Sequence, residues 1–382
     1  MNAADVRSSG APPASDFLAR MSLARGEAAA AGVDVLLVSP GSDLRYLTGY
    51  NAKALERLTC LVLPVEGEPH LVVPELERPA AQAAGVGALG LDIVSWRDSE
   101  DAYELVAKLL PGRVRRIAVD DRMWAEKVLA FRAVLPDTEQ TLAGRILRKL
   151  RIRKSAAEVE ALRQAAAAID RVHARIAEWL RPGRTEREVG HDIADAILAE
   201  GHAHVDFVIV GSGPNSASPH HEVSDRVIER GDPVVVDIGG TTVAGYCSDE
   251  TRTYVVGGEP PEEMRRYYEV LQRAQEAARN HVRPGVSAES VDRVARSIIA
   301  DAGYGEAFIH RTGHGIGMES HEDPYIVAGN DEPLEPGMAF SVEPGIYLEG
   351  EHGARIEDIV VVTDQGVESL NQRPRELVVL DG

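Results

Sequence analysis

In four places of this 382-residue sequence a carboxylate stands directly against a run of apolar, strand-forming residues. Val234-Val235-Val236 leads into Asp237, Tyr246-Cys247-Ser248 into Asp249, the stretch 338–342 into Glu343, and Glu357 comes just before Ile359-Val360-Val361-Val362. A carboxylate in such surroundings is costly unless it is paired, protonated or bound to a cation. One acid at a strand end reads as a turn residue. Four acids in two pairs, each pair on neighbouring strands, read as a cation site. His314 lies in Thr312-Gly313-His314-Gly315-Ile316-Gly317, a loop whose glycines reach unusual dihedrals and bring the backbone close to a site. Alone it reads as a turn histidine; beside the four acids it becomes a fifth ligand.

One imidazole and four carboxylates, without a thiolate, form an oxygen-rich set that suits Mn, Co or Fe better than a structural zinc site. Four carboxylates on one divalent ion would leave excess negative charge, so two ions about 3.5 to 4 Å apart fit better.

The chain exceeds the length at which a single core usually stops growing, so two domains are expected. Residues 1–16 are small, polar and Pro-containing, and read as a flexible tail. Helical spacing over 17–31 and apolar runs at 34–38, 59–63, 70–73 and 116–120 predict an α/β domain over 17–150. The basic stretch RKLRIRKS at 148–155 marks the boundary, helical spacing follows over 156–180, and the second domain covers 155–382. That domain repeats itself. Arg181-Pro182-Gly183-Arg184-Thr185 opens a helix running to Gly201, and Arg283-Pro284-Gly285-Val286-Ser287 opens another running to Gly303. Thr185 and Ser287 hold matching N-cap positions 102 residues apart, and Val189/Val291 and Ile197/Ile299 keep one apolar stripe.

Hydrophobic residues at 44% and charged residues at 27% place the chain among ordinary globular proteins. A net charge of -20 repels nucleic-acid backbones and anionic lipid surfaces while favouring cations. No nucleic-acid partner and no membrane association are expected. Only Cys60 and Cys247 are present, far apart, which suits the reducing cytoplasm and gives no disulfide framework.

The ordered segments VDIGG at Asp237, GYCSDETRT at Asp249, RTGHGIG at His314, SVEPGIY at Glu343 and ARIEDIV at Glu357 resemble those of the pita-bread metallopeptidases over nearly the whole chain. That family comprises prolidases, aminopeptidase P, methionine aminopeptidases and the metal-free creatinases. SDLRYLTGY and the region before Ser155 resemble the amino-terminal domain of the creatinase, prolidase and aminopeptidase P branch. The resemblance implies an α/β N-terminal creatinase-like domain followed by an α+β pita-bread catalytic domain with an internal pseudo-twofold repeat. It implies that Asp237 chelates one ion, that His314 and Glu343 bind the other, and that Asp249 and Glu357 bridge them. His220, in GSGPNSASPHH, matches the family's catalytic histidine, with His221 secondary. His321 matches a histidine that contacts substrate and takes part in catalysis, His310 a further pocket histidine, and Arg355 an arginine beside the bridging glutamate. Arg355 and Glu357 share a face at strand period two.

The implied activity is hydrolysis of Xaa-Pro bonds in dipeptides or short proline-containing peptides, using two divalent ions, foremost Mn2+, with Co2+ or Zn2+ as alternatives. Such ions lower the pKa of water enough to yield a nucleophile near neutral pH. His220 would donate to the developing oxyanion and Glu343 would carry the proton to the leaving nitrogen. An Xaa-Pro bond has no N–H, so it needs a dedicated pocket, for which His310, His321 and Arg355 are candidates. A free proline carboxylate needs a cation, either Arg355 or a histidine. Aminopeptidase P is the close alternative. A metal-free creatinase-like amidinohydrolase is disfavoured by the five ligands, and a non-catalytic peptide-binding protein, which predicts bound metal without turnover, is the third option. A homodimer or larger homo-oligomer is implied.

Overall fold

Val35–Val38 is a run of apolar side chains buried on both faces, as a central strand covered on both sides requires. In the computed structural model, which describes residues 12–381, this strand lies inside a six-stranded mixed sheet. It pairs antiparallel with Cys60–Pro64 and parallel with Arg116–Val119. His70–Pro74 and then Asp92–Trp96 extend one side, and Glu139–Leu142 closes the other. The four apolar runs of the sequence are all strands. The two edge strands escape sequence reading because Glu139–Leu142 is mostly exposed and polar, and Asp92–Trp96 has little buried surface. This sheet belongs to a first unit that ends at Arg151.

One expectation needs correction here. Ala14–Ala30 is helical, so the helix takes up residues 14–16 of the expected tail, while 1–11 lie outside the described residues. The basic stretch at 148–155 spans the division between the units, and its first part is helical: Gly144–Arg151 has Ile146, Leu147 and Leu150 buried, with Arg148, Lys149 and Arg151 in its last turn, where cations suit the helix dipole.

The second unit begins at Ile152. Ser155 opens the helix Ala156–Ala174 with a reciprocal capping box to Glu158. The helical spacing expected to reach 180 breaks at Arg175 into a short 3-10 turn over Ile176–Glu178. A four-stranded sheet follows in the order Val378–Leu380, Cys247–Val256, Pro233–Thr242, His202–Ser212. A five-stranded sheet runs Glu322–Ile326, Gly313–Gly315, Ala339–Val342, Asp358–Thr363, Gly366–Ser369, and Gly345–Leu348 pairs separately with His352–Arg355.

The internal repeat is visible bond by bond. Gly183 and Gly285 take φ of 87° and 85°, and Gly201 and Gly303 take 106° and 90°, values that favour glycine. Gly183 N–H donates to Ile228 O and Gly285 N–H to Leu334 O, both at 2.8 Å. The returning bonds, Ile228 N–H to Arg184 O and Leu334 N–H to Val286 O, are also 2.8 Å each. Past the first helix the offset between halves has grown from 102 to 106. Val236 pairs with Arg252, and Val342 with Asp358. Asp237 and Glu343 are therefore equivalent positions. Glu357 is equivalent to Thr251, and Asp249 to Arg355, so the two halves place their acids differently on one template.

Alternation decides which side chains reach the site. Val234, Val236 and Ile238 pack on the helix Glu186–Ala199 through Val189, Ile193 and Ile197. At period two this turns Asp237 to the opposite face. In the second half Phe340, Val342, Val360 and Val362 pack with Val291, Ile299 and Leu271 from the helices Ala288–Asp301 and Glu262–His281. That leaves Ser341 and the flanking Glu343 and Glu357 on the other side.

The two N-caps differ in chemistry despite their matching positions. Thr185 forms a reciprocal capping box with Glu188, whereas the Ser287 side chain makes no cap hydrogen bond. Thr185→Ala should therefore cost about 1 kcal/mol of stability, and Ser287→Ala clearly less, read as shifts in the chemical-unfolding midpoint. Equal losses would contradict the difference.

Candidate metal centre

Asp249, His314 and Glu357 each offer a ligand atom, and these atoms lie within 4.8 Å of one another, all three residues buried. His314 Nε2 is 3.2 Å from Glu343 Oε1 and 3.7 Å from Asp249 Oδ2. Asp237 completes the group: its charge and those of Glu343 and Glu357 all bear on Asp249. The five residues singled out in the sequence thus converge from both halves of the repeat.

The imidazole is oriented by backbone. His314 Nδ1–H donates to Gly315 O at 3.1 Å, which aims Nε2 at the carboxylates. Ser341 Oγ accepts from His314 N–H and donates to Glu343 Oε1, both at 2.9 Å. The glycines around His314 act by size rather than by dihedral. Gly313–Gly315 is a strand inside the sheet, not a loop, and neither glycine has positive φ. A Cβ on Gly313 would sit 1.9 Å from Ser341 O, and one on Gly315 2.3 Å from the Asp323 backbone. Only glycine lets the neighbouring strands close around the histidine.

Behind Asp237 stands a chain of donors. Arg355 Nη2 donates to Asp237 Oδ2 at 2.5 Å and to Pro219 O at 3.3 Å, Nη1 to Tyr347 Oη at 2.7 Å, and Nε to Thr251 Oγ1 at 3.1 Å. Tyr347 Oη meets His310 Nε2 at 2.9 Å, and His310 Nδ1–H donates to Arg311 O at 2.7 Å. Thr251 Oγ1–H in turn donates to Glu357 Oε2 at 2.7 Å. On the far face, Arg252 donates to Glu357 O at 2.5 Å and to Asp358 Oδ1 at 2.8 Å, tying the four-stranded sheet to the five-stranded one.

Burial, then the charges of Glu357, Asp237 and Glu343, push Asp249 well above the usual carboxylate range. Glu357 is raised well above it by burial and by Glu343 and Asp237. Burial raises Asp237 too, with Arg355 opposing. For Glu343 burial is outweighed by the hydrogen bond and charge of His314, which hold it near 2. Among the described residues, Asp237 Oδ1 and Glu357 Oε1 are buried with no hydrogen-bond partner. Buried carboxylate oxygens left bare beside other carboxylates are the arrangement that cations relieve, and the donor set fits divalent ions.

The remaining histidines ring this cluster. His220 is exposed on the turn after Pro219, whose carbonyl Arg355 holds. Its charge reaches His310 and His321. The His321 ring centroid is 3.9 Å from that of His314. Burial, then the charges of His314 and Arg311, lower His321 to about 4, and burial, with Arg355 and His220, also lowers His310. Both imidazoles are therefore neutral at neutral pH.

Comparison with known proteins identifies the family. The model of metallopeptidase family M24 matches residues 160–364, and that of the creatinase/prolidase N-terminal domain matches 20–153. The chain belongs to metallopeptidase family M24. This M24 chain is 53% identical over 367 residues to a protein of Mycobacterium tuberculosis named probable dipeptidase PepE, covering 95% of this chain and 96% of that one. It is 40% identical over 360 residues to the Xaa-Pro dipeptidase of Lactobacillus delbrueckii subsp. lactis, covering 91% and 95%. The crystal structure of dipeptidase PepE from Mycobacterium ulcerans superposes with a TM-score of 0.92 at 52% identity, over 97% of this chain and all of that one. As an M24 metallopeptidase the chain takes divalent metal, in a pita-bread domain preceded by the creatinase-type domain. No helix among the described residues is long and apolar enough to cross a membrane.

Sequence reading missed the residues that anchor the site's loops. Glu186, fully buried at the start of its helix, accepts hydrogen bonds from Ser212 N–H and Oγ, Asn215 Nδ2, Ser224 N–H and Oγ, and lies 2.7 Å from His221 Nε2. It thereby clamps both ends of the loop that carries His220, and His221 faces this clamp. Glu186 sits in the first turn of a capped helix, where an acid is common for reasons of the helix dipole alone. The polar run from Ser212 to Ser224, rich in donors without an obvious acceptor, was the available signal. In the second half Asp292 accepts from Thr312 N–H and Oγ1 in the same manner. Burial opposes the Glu186 carboxylate, but the Ser224, Ser212 and His221 bonds hold it near 2. The clamp is complete above the ordinary glutamate value of 4.5 and weakens as pH falls toward 2. Glu186→Gln replaces an all-acceptor group by one with donors. Amide exchange at Ser212 and Ser224 should then rise by about tenfold or more as the buried bonds weaken, read by hydrogen–deuterium exchange. Unchanged protection would remove Glu186 from this role.

Proposed function

We propose that the chain hydrolyses the Xaa-Pro bond of dipeptides, with two divalent ions held by Asp237, Asp249, His314, Glu343 and Glu357. The observation that carries this reading is the buried cluster of four carboxylates and one oriented imidazole with bare oxygens at Asp237 and Glu357. Resemblance over nearly the full length to proteins named dipeptidase and Xaa-Pro dipeptidase supports it.

In this reading Asp237 serves one ion, His314 and Glu343 the other, and Asp249 and Glu357 both. When bound, the ions supply Lewis acidity and a water acidic enough to act as nucleophile near neutral pH. Mn2+ matches the oxygen-rich donors best, ahead of Co2+ and Zn2+. Arg355 holds Asp237 from behind and opposes the upward push of burial on its carboxyl, so Asp237 stays aimed. His220, on its clamped turn, donates a hydrogen bond to the carbonyl oxygen as negative charge develops there. Glu343 carries the proton to the leaving nitrogen. The neutral rings of His310 and His321 line the substrate side, with His321 beside the reacting group. Arg355 is buried and committed to protein acceptors, so it acts through Asp237 and Tyr347 rather than by direct substrate contact. The assembly is a homodimer or larger homo-oligomer, and the cell compartment is the cytoplasm.

The test is an assay of Xaa-Pro dipeptides beside longer Xaa-Pro peptides, after chelation and Mn2+ addition, on the wild type and two variants. Dipeptide cleavage should return with Mn2+ and exceed that of the longer peptides. His220→Ala should retain both ions and lose about a hundredfold to a thousandfold in kcat, whereas His314→Ala should lose metal by elemental analysis. Equal metal loss in both variants would make His220 a ligand and overturn this division of roles.

A further inference from the structure

A dipeptide ends in a carboxylate one residue beyond the scissile bond, and it must approach a site that already holds four carboxylates. The two divalent ions of the proposed function balance those four charges, so the terminal carboxylate needs its own cationic partner close to the leaving residue. The histidines do not supply it: His310 is committed to Arg311 O and Tyr347 Oη, and the His321 ring packs against that of His314. Arg355 is occupied by Asp237, Tyr347, Thr251 and Pro219. Lys154 is paired with Glu322 at 2.7 Å.

Arg311 is different. Its guanidinium lies over the Tyr325 ring, 4.4 Å from the centroid. Among the described residues no carboxylate or carbonyl accepts a hydrogen bond from it, and the side chain is part-exposed. Tyr325 lies in the strand that pairs with Gly313–Gly315, a few residues after His321. Arg311 also lies near enough to His321 for its charge to be felt there.

The backbone on either side of Arg311 is fixed. Arg296 donates to Phe308 O at 3.0 Å and His310 O at 2.8 Å, Asp292 accepts from Thr312 N–H at 3.1 Å, and Arg311 O itself accepts from His310 Nδ1. The stem is pinned and the planar head is stacked while its N–H groups are left to point outward. An arginine so placed is preorganised for two-pronged carboxylate binding.

We propose that Arg311 determines substrate length: its guanidinium, braced on Tyr325, receives the free C-terminal carboxylate of a dipeptide and so selects two-residue peptides over longer or C-terminally blocked ones. The proposal rests on the dipeptidase reading above and names the group that enforces it. Longer peptides carry an amide where the dipeptide carries its charge, and they gain nothing from Arg311.

The test uses the full-length, Mn2+-loaded enzyme with Ala-Pro and Ala-Pro amide as paired substrates. Wild type should prefer the free acid. Arg311→Met should raise KM for Ala-Pro by about tenfold to a hundredfold, the range of one or two charge-assisted hydrogen bonds. Its kcat/KM for the amide should stay within about threefold of wild type, because that substrate lacks the partner charge. Arg311→Lys should recover part of the preference. Equal losses on both substrates would show a structural role and overturn the proposal. So would an acid preference that survives in Arg311→Met, or a wild type indifferent to the blocking group. Wild type that cleaves neither substrate would strike the dipeptidase reading itself, and the length selector with it.

Discussion

The mutual repulsion of Asp237, Asp249, Glu343 and Glu357, buried together with too few hydrogen bonds, is the constraint around which the second unit is organised. Without cations such a cluster opposes folding, because burial and neighbouring charge both penalise the ionised forms. The surrounding structure tolerates it through fixed donors: Arg355 on Asp237, Thr251 on Glu357, and Ser341 and His314 on Glu343. Each donor is held in turn by the sheets, so the acids are aimed before any ion arrives.

The repeat explains how two sheets supply one site. Both halves pack one strand face on their own helices, which turns the alternate residues toward the cluster. Both halves also use a buried acid on a helix to tie down the segment before a functional histidine, Glu186 for the His220 loop and Asp292 for Thr312. The halves differ where chemistry requires it. The register puts Arg355 where the first half has Asp249, and Glu357 where it has Thr251. One template thus yields both ligands and the donors that restrain them.

Much of this was legible in the sequence because it leaves strong local marks. Carboxylates beside valine runs are costly enough to stand out, and the paired RPG helix starts with their terminal glycines announced the repeat before any contact was known. Edge strands such as Glu139–Leu142 left no mark because their exposed faces need no apolar pattern. The glycines flanking His314 were visible, but their cause was not. They serve close strand packing, which depends on Ser341 and Asp323, residues distant in sequence. Glu186 and Arg311 were hidden for a related reason: their importance lies in partners brought by the fold, or in the lack of one, and neither is written in local spacing.

The central claim is that the buried acids are completed by two cations, and stability reports on it independently of turnover. The decisive measurement is the thermal unfolding of chelated protein titrated with Mn2+, together with the stoichiometry from calorimetry. The account predicts a rise in Tm that grows with Mn2+ concentration as binding to the folded state requires, saturating at two ions per chain. Glu357→Gln, which removes one repelling charge, should make the chelated protein at least as stable as wild type while weakening the Mn2+-dependent gain. A chelated wild type whose Tm does not respond to Mn2+, or to any divalent ion tried, would contradict the account.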